Sequence, residues 1–423
     1  MEDDSAVYVG LDTSKHKNAV AIAVEGRAGE VRYLGEIDST RSATGKLVRR
    51  LARQHAAVTF CYEAGPTGYG LYRQITGLGH ACIVVAPSLI PQRPGDRVKT
   101  NRRDALSLAR QLRAGDLTAV WVPDPQHEAV RDLTRARLAA VRELRTKRQQ
   151  VGALLLRLGH VYARPKTWGK AHLSWLASRT LEHREQRIAL EEMLHAVRQA
   201  GERIARLEQA IAAALAEWSL APTVTALMAL RGIDLIAATT LLAEIGDLTR
   251  FRSPRELMAW LGLVPSESST GERVRRGGIT KTGNHRARSM LVECAWSYRH
   301  PPRVGAGKLA RIEAAPPAVR DIAWKAQTRL SARYRALRRA GKRDTVAITA
   351  VARELAAFIW AVGLAVASDG GPQSALARQR GVPPSIRERA CERVAGLKPK
   401  PPAAVAARGL TPATRSKPVP GID

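Results

Sequence analysis

Val7-Tyr8-Val9-Gly10-Leu11-Asp12-Thr13-Ser14-Lys15-His16-Lys17-Asn18-Ala19-Val20-Ala21-Ile22-Ala23-Val24 decides the fold of the first part of the chain. Residues 7–11 form a short apolar run bounded by polar sequence, which reads as a buried strand stopping on a carboxylate, Asp12. A polar turn leads into a second strand at residues 19–24, and Gly26 and Gly29 turn the chain into a third at residues 31–37. Leu47, Val48 and Leu51 give residues 40–53 the spacing of a helix face. Residues 58–62 are again strand-like and end on Glu63. A helix at 68–78, a strand at 82–85 and a helix at 101–114 complete the series.

Three strands, helix, strand, helix, strand, helix is the order of a ribonuclease-H-like (RuvC-like) α/β domain. In that fold carboxylates end the first and fourth strands, and others sit on the closing helix. Asp12 and Glu63 stand at the strand ends, and Asp104 lies one turn into the helix. Mg²⁺ prefers oxygen ligands, and two such ions stabilise the attacking and leaving oxygens of a phosphodiester displacement. Asn101 shares a helix face with Asp104 and offers a neutral oxygen without charge. Asp96, in the loop Pro94-Gly95-Asp96-Arg97, is a further carboxylate within reach in sequence. The plainer readings are a turn cap for Asp12 and an exposed strand-end charge for Glu63.

From about residue 126 to 218 the chain is rich in helix formers. Val130, Leu133, Leu138, Val141 and Leu144 make one apolar series, and Ile188 through Ile211 a second. Arg164-Pro165-Lys166-Thr167-Trp168-Gly169 separates them, so a long antiparallel, coiled-coil-like pair is expected. Its arginine-rich flank suits a solvated face as well as phosphate contact or protomer pairing.

The last third is mainly α. Leu230-Arg231-Gly232-Ile233-Asp234 between two helical patterns resembles a helix-hairpin-helix, which presents backbone N–H groups to phosphates. Ser253-Pro254-Arg255-Glu256 carries the signals of a helix start. Then comes Gly262-Leu263-Val264-Pro265-Ser266-Glu267-Ser268-Ser269-Thr270-Gly271, running on to Asn284. Its hydroxyls are candidate nucleophiles, and its cations (Arg273, Arg275, Arg276, Lys281, Arg286) are candidates to hold nucleic-acid phosphates. Ser, Thr and Gly also make ordinary turns; the surrounding arginines are what distinguish this stretch. A helix at 346–362 closes the domain, and the Pro- and Lys-rich sequence after it has the composition of disorder.

Bulk composition agrees. Sixty-eight Lys and Arg against 38 Asp and Glu leave a formal charge of +30, which calls for a polyanionic partner. The four cysteines have no CxxC spacing, so buried free thiols are expected rather than zinc. The start is acidic with only a short apolar run, and no uninterrupted apolar stretch approaches the roughly 20 residues of a membrane helix. A bacterial cytoplasmic, nucleoid-associated setting and no membrane partner are the expectation.

The segments Gly10-Leu11-Asp12-Thr13-Ser14-Lys15, Tyr62-Glu63-Ala64, Lys99-Thr100-Asn101-Arg102-Arg103-Asp104-Ala105 and Gly232 through Gly283 together resemble one family. These are the insertion-sequence transposases with an N-terminal RuvC-like DEDD domain and a C-terminal serine domain, the bridge-RNA-guided recombinases related to the Piv invertase. The resemblance implies a recombinase that cuts and rejoins donor and target DNA through a covalent link to a hydroxyl, assisted by Mg²⁺ or Mn²⁺. It implies a non-coding guide RNA and a homo-oligomer, dimer to tetramer. It carries the metal-binding acids onto Asp12, Glu63, Asn101 and Asp104, with an amide where the family has its third acid. It carries the nucleophile onto Thr270, with Ser269 adjacent and the better nucleophile chemically, since a β-branch stiffens threonine. Domains are expected at 5–125 (RuvC-like), 126–218 (helical), 222–365 (serine transposase) and 366–423 (basic, Pro-rich tail). Two alternatives stand beside this reading: a metal-dependent, structure-selective nuclease needing only the carboxylates, and a non-catalytic nucleic-acid-binding descendant.

Overall fold

The antiparallel strands β1 (Asp3–Thr13), β2 (Lys17–Val24) and β3 (Val31–Asp38) build one side of a five-stranded sheet. Strands β4 (His55–Glu63) and β5 (Ala81–Val85) extend it in parallel beyond β1, giving the order β3-β2-β1-β4-β5. This is seen in a computed structural model that describes residues 3–91, 100–271 and 273–368. Parallel neighbours need crossovers, and α1 (Arg41–Gln54) and α2 (Gly70–Gly77) provide them. Thr40 caps α1, its hydroxyl accepting from the Ala43 N–H at 3.2 Å. The mixed sheet is consistent with a RuvC-like domain.

Side chains alternate across a strand, so β1 serves two faces. Val7, Val9 and Leu11 pack with Leu47, Val48 and Leu51 of α1. The other face of β1 and β2 carries the small residues Gly10, Ala19, Ala21 and Ala23 beside Tyr8, and α3 (Asn101–Ala114) lies on it through Ala105 and Ala109. A Cβ at Gly10 would collide with the Ala105 carbonyl oxygen and the Ala109 nitrogen. The glycine therefore sets how closely helix and sheet approach. Cys61, Cys82 and Cys294 are buried free thiols, as expected; burial pushes the Cys82 thiol up to about 12 and Cys61 higher still. Cys391, Asp96 and the tail beyond Ser368 lie outside the described residues.

The chain divides between Asp124 and Pro125 into two units, and the second begins with the expected helical pair. It consists of α4 (Pro125–Arg157) and α6 (Arg184–Ala214), joined through a short helix, α5 (Lys170–Ala177), that the sequence pattern does not announce. Ion pairs Arg137–Glu208 and Arg203–Glu143 run in opposite numerical directions, which makes the pair antiparallel. Val151, Leu154 and Leu155 meet Leu190 and Val197 in its apolar seam.

The rest of this unit comprises α7 (Ala221–Leu227), α8 (Leu235–Ile245), α9 (Pro254–Trp260), a hairpin of β6 (Pro265–Glu267) and β7 (Arg276–Ile279), α10 (His285–Ala295), α11 (Ala306–Glu313), α12 (Pro317–Arg339) and α13 (Asp344–Ser368). Helix α13 is the hub rather than a closing lid: every residue from 355 to 367 is buried, and α7, α9, α10 and α12 pack around it. By length and apolarity it is the one described helix that would cross a membrane, but 72% of its most apolar window is buried inside the unit. It is a core helix. Helices α7 and α8 flank the Leu230–Asp234 turn, the pairing expected there, without establishing the helix-hairpin-helix class.

One charged contact anchors α4 to this core. The Glu244 side chain, fully buried at the end of α8, accepts from Arg135 Nε at 2.8 Å and Nη2 at 2.9 Å, and from Asn284 Nδ2 at 2.7 Å. Burial opposes its charge, but those hydrogen bonds and the Arg135 and Arg131 charges hold the carboxyl below the ordinary carboxylate range. Arg131 Nε and His127 Nε2 both lie against the neighbouring Ala243 carbonyl, at 2.7 and 2.9 Å.

Two stability measurements follow from this packing. Gly10→Val should lower the urea midpoint, by about 1–3 kcal/mol of stability, because the added carbon overpacks a backbone contact. Glu244→Gln should cost about 2 kcal/mol, toward the low side for a broken buried pair because Arg135 is 38% exposed. A carboxyl held low contributes stability that is complete above its ordinary value of 4.5 and is lost as pH falls through the folded-state value. The glutamine variant should therefore show a shallower acid limb in a pH series of melting temperatures, and an unchanged limb would remove the role assigned to this charge.

Candidate active site

In the first unit the strand register brings the predicted acids to one end of one face. Gly10 pairs with Cys61 and Leu11 with Tyr62 in the parallel β1–β4 ladder, so Asp12 and Glu63 come next, side by side. Residues two apart in a strand share a face, so Asp12 lies on the side of Gly10 and Glu63 on the side of Cys61, both of which touch α3. Along α3 the contacts run from Leu112 and Leu108 against Tyr8 and Cys61 to Ala105 against Gly10. Asp104 and Asn101 continue that line toward the helix start, capped by Thr100, whose hydroxyl accepts from the Arg103 N–H at 3.3 Å. Asp12, Glu63 and Asp104 are half-buried and Asn101 is exposed. Asp12 and Asp104 both have polar partners. Among the described residues no three His, Cys, Asp or Glu side chains are gathered to hold a metal ion. What fits a hard divalent cation is the donor chemistry, carboxylate and amide oxygen, and its backbone placement.

In the second unit the hydroxyl stretch is a two-stranded hairpin rather than a loop. Glu267 pairs with Arg276, the Ser268 N–H donates to the Arg275 carbonyl at 2.9 Å, and Thr270 and Arg273 exchange two backbone bonds of 3.2 Å across the turn. Facing residues of an antiparallel pair point to the same side. One face therefore carries Glu267, Ser269 and Arg276, and the other Ser268, Thr270, Arg273 and Arg275. On the first face Ser269 Oγ donates to Glu267 Oε1 at 2.9 Å, and Arg276 Nε donates to Glu267 Oε2 at 3.2 Å. The Ser269 hydroxyl and the Arg276 guanidinium hold the Glu267 carboxyl below its ordinary range. The sequence pattern does not mark Glu267 as functional; strand parity with Ser269 is the signal that finds it.

The root of the hairpin is rigid. Gly262 and Gly283 both have positive φ, +64° and +71°, and a Cβ on either would strike the backbone of Thr282 or Trp260. Arg288 Nη1 ties the two sides by donating to the Leu261 and Thr282 carbonyls at 2.9 and 2.8 Å. Asn284 caps α10 through the N–H groups of Arg286 and Ala287 while its amide reaches Glu244. Arg286 is thus fixed in the first turn of α10. Lys281 has φ +57° and donates its N–H to the Gly262 carbonyl at 3.0 Å. Beyond this root the hairpin is solvent-exposed, and so are Arg273, Arg275 and Arg276.

A family model of DEDD transposases of the IS110 type matches residues 9–159, spanning the acids. A second, for the transposase IS116/IS110/IS902 family, matches residues 224–306, spanning the hairpin. A putative transposase, y4qE, of Sinorhizobium fredii is 57% identical over 85% of this chain and 89% of its own length. The transposase for insertion sequence element IS1533 of Leptospira borgpetersenii is 29% identical over 78% of this chain and 96% of its own. With its acids inside one family match and its hairpin inside the other, the chain belongs to the IS110/IS116/IS902 family of transposases.

Proposed function

We propose that this transposase cuts and rejoins the strands of an insertion sequence through Ser269, and the observation that carries the assignment is the Ser269–Glu267 hydrogen bond. A serine hydroxyl is a weak nucleophile unless a base accepts its proton. Glu267 is that acceptor, kept ionised by Arg276. Because its carboxyl is held low, proton transfer accompanies attack rather than preceding it. Ser269 Oγ bonds to phosphorus, the bond from phosphorus to a bridging sugar oxygen breaks, and that oxygen takes up a proton. Attack by a sugar hydroxyl on the phosphoserine reverses the step and rejoins a strand. Arg273, Arg275, Lys281 and Arg286 supply positive charge for the phosphates beside it.

Asp12, Glu63 and Asp104, with the Asn101 amide, are the residues to hold a divalent ion, Mg²⁺ or Mn²⁺, which when bound supplies Lewis-acid neutralisation of phosphoryl charge. The family resemblance adds a non-coding guide RNA pairing with donor and target DNA, and a homo-oligomer of two to four copies. Thr270 is the second reading for the nucleophile, favoured by its sharing a hairpin face with Arg273 and Arg275.

The test is a denaturing gel of protein, guide RNA, Mg²⁺ and labelled donor DNA. Wild type should give a protein–DNA adduct, Ser269→Ala should abolish it, and Thr270→Ala should keep at least a tenth of it. Loss with Thr270→Ala alone would transfer the role to threonine. Free nicked DNA without an adduct would favour a nuclease, and binding without cleavage a non-catalytic descendant. Asp12→Ala should lower cleavage at least a hundredfold with DNA affinity within twofold of wild type; full cleavage would remove the acids from the mechanism.

A further inference from the structure

A second strongly basic feature lies in the same unit, at the other end of α10. Helix α10 begins at the hairpin root and runs for 11 residues, about 16 Å, into the turn Trp296–Arg299. There a cavity of about 350 Å³ is walled by Arg231, Trp296, Ser297, Arg299 and His300. Two guanidiniums, an imidazole, a hydroxyl and an indole line it, and among the described residues no carboxylate does.

The wall is built, not incidental. Gly232, with φ +80°, packs so closely on α10 and the turn after it that a Cβ would meet the Cys294 carbonyl and the Ser297 hydroxyl. Ser297 is thereby pressed against the Arg231–Gly232 turn. Lys308, from the first turn of α11, reaches under that turn and donates to the Leu230 carbonyl and to those of Met228 and Ile233 at 3.2 and 3.1 Å. A tethered ammonium thus neutralises the carbonyl side of the turn from within. Arg231 Nη1 donates to the Pro301 carbonyl at 2.6 Å, and Arg299 Nε donates to His300 Nε2 at 3.0 Å, so both cations are oriented. Tyr298 is fully buried beside the Arg231 backbone, filling the space beneath.

We propose that this cavity seats one phosphodiester of the DNA strand engaged by the transposase, an anchoring contact separate from the hairpin hydroxyls. The proposal rests on the reading of the chain as a DNA-strand-transfer enzyme. Arginine suits phosphate because its planar fork makes paired hydrogen bonds, and a serine hydroxyl adds a short one. Strand phosphates of B-DNA wind around the axis while advancing about 3.4 Å per nucleotide, so a straight 16 Å spans only about two to three nucleotides of one strand. Helix α10 would then act as a spacer, holding one strand at two points a few nucleotides apart on the same side of the duplex.

The experiment is fluorescence anisotropy of the full chain with a labelled DNA duplex across a NaCl series, comparing wild type, Arg299→Ala and Arg320→Ala. Arg320, exposed on α12, removes the same charge outside the cavity. The expected result for Arg299→Ala is a log Kd against log salt slope lower by about 0.9, the loss of one phosphate contact, and severalfold weaker binding. Arg320→Ala should keep the wild-type slope. Equal loss in both variants would mean general charge attraction and overturn the seat, as would an unaltered Arg299→Ala slope. Wild type failing to bind DNA would overturn the strand-transfer reading together with it. Displacement of DNA by millimolar inorganic phosphate from wild type but not from Arg299→Ala would assign the cavity to a free anion instead.

Discussion

Everything the first unit offers to chemistry depends on how closely α3 approaches β1. The distance is set by absent side chains: a glycine at position 10 and alanines at 19, 21, 23, 105 and 109. With larger residues the helix would stand off the sheet, and its first turn would no longer come alongside the strand ends. Residues with no polar chemistry position those that have it.

The second unit uses the opposite device. Its centre is an apolar helix surrounded on all sides, and the polar anchor, Glu244, sits at the margin where α4, α8 and α10 meet. A buried carboxylate with three hydrogen bonds, two of them from a bidentate arginine, is directional in a way that apolar packing is not. Asn284 is shared between that carboxylate and the cap of α10, so the orientation of the long helix and the root of the hairpin are specified by one group.

Much of this is legible in the amino-acid sequence, unevenly. The strands of the first unit are short apolar runs punctuated by turns, a pattern with few alternatives, and Asp12 and Glu63 fall at strand ends as read. The antiparallel helical pair is equally plain from its apolar spacing. The hairpin is not. Ser266 through Ile279 is rich in glycine, serine and arginine, without the alternation of a half-buried strand, because both faces are exposed and no core imposes a period. Its pairing comes from backbone bonds and a rigid root, which composition does not reveal. Glu267 was hidden for that reason: a carboxylate two residues from a serine means nothing until the segment is known to be extended. Glu244 lies in an apolar helix, and its partners are distant in the chain: Arg135 lies 109 positions before it and Asn284 lies 40 after it.

The parity of the hairpin separates its two adjacent candidate hydroxyls. Neighbouring residues on a strand look in opposite directions, so Ser269 and Thr270 are alternatives in space as well as in sequence, one beside a carboxylate and the other among guanidiniums. Deletion of one residue between Glu267 and Ser269 would place Thr270 two residues after the carboxylate, in the position Ser269 holds, and turn Ser269 to the other face. A one-residue deletion there therefore changes which hydroxyl stands beside the carboxylate with no substitution at either hydroxyl, and an alignment of such chains by residue type would pair hydroxyls that face opposite ways.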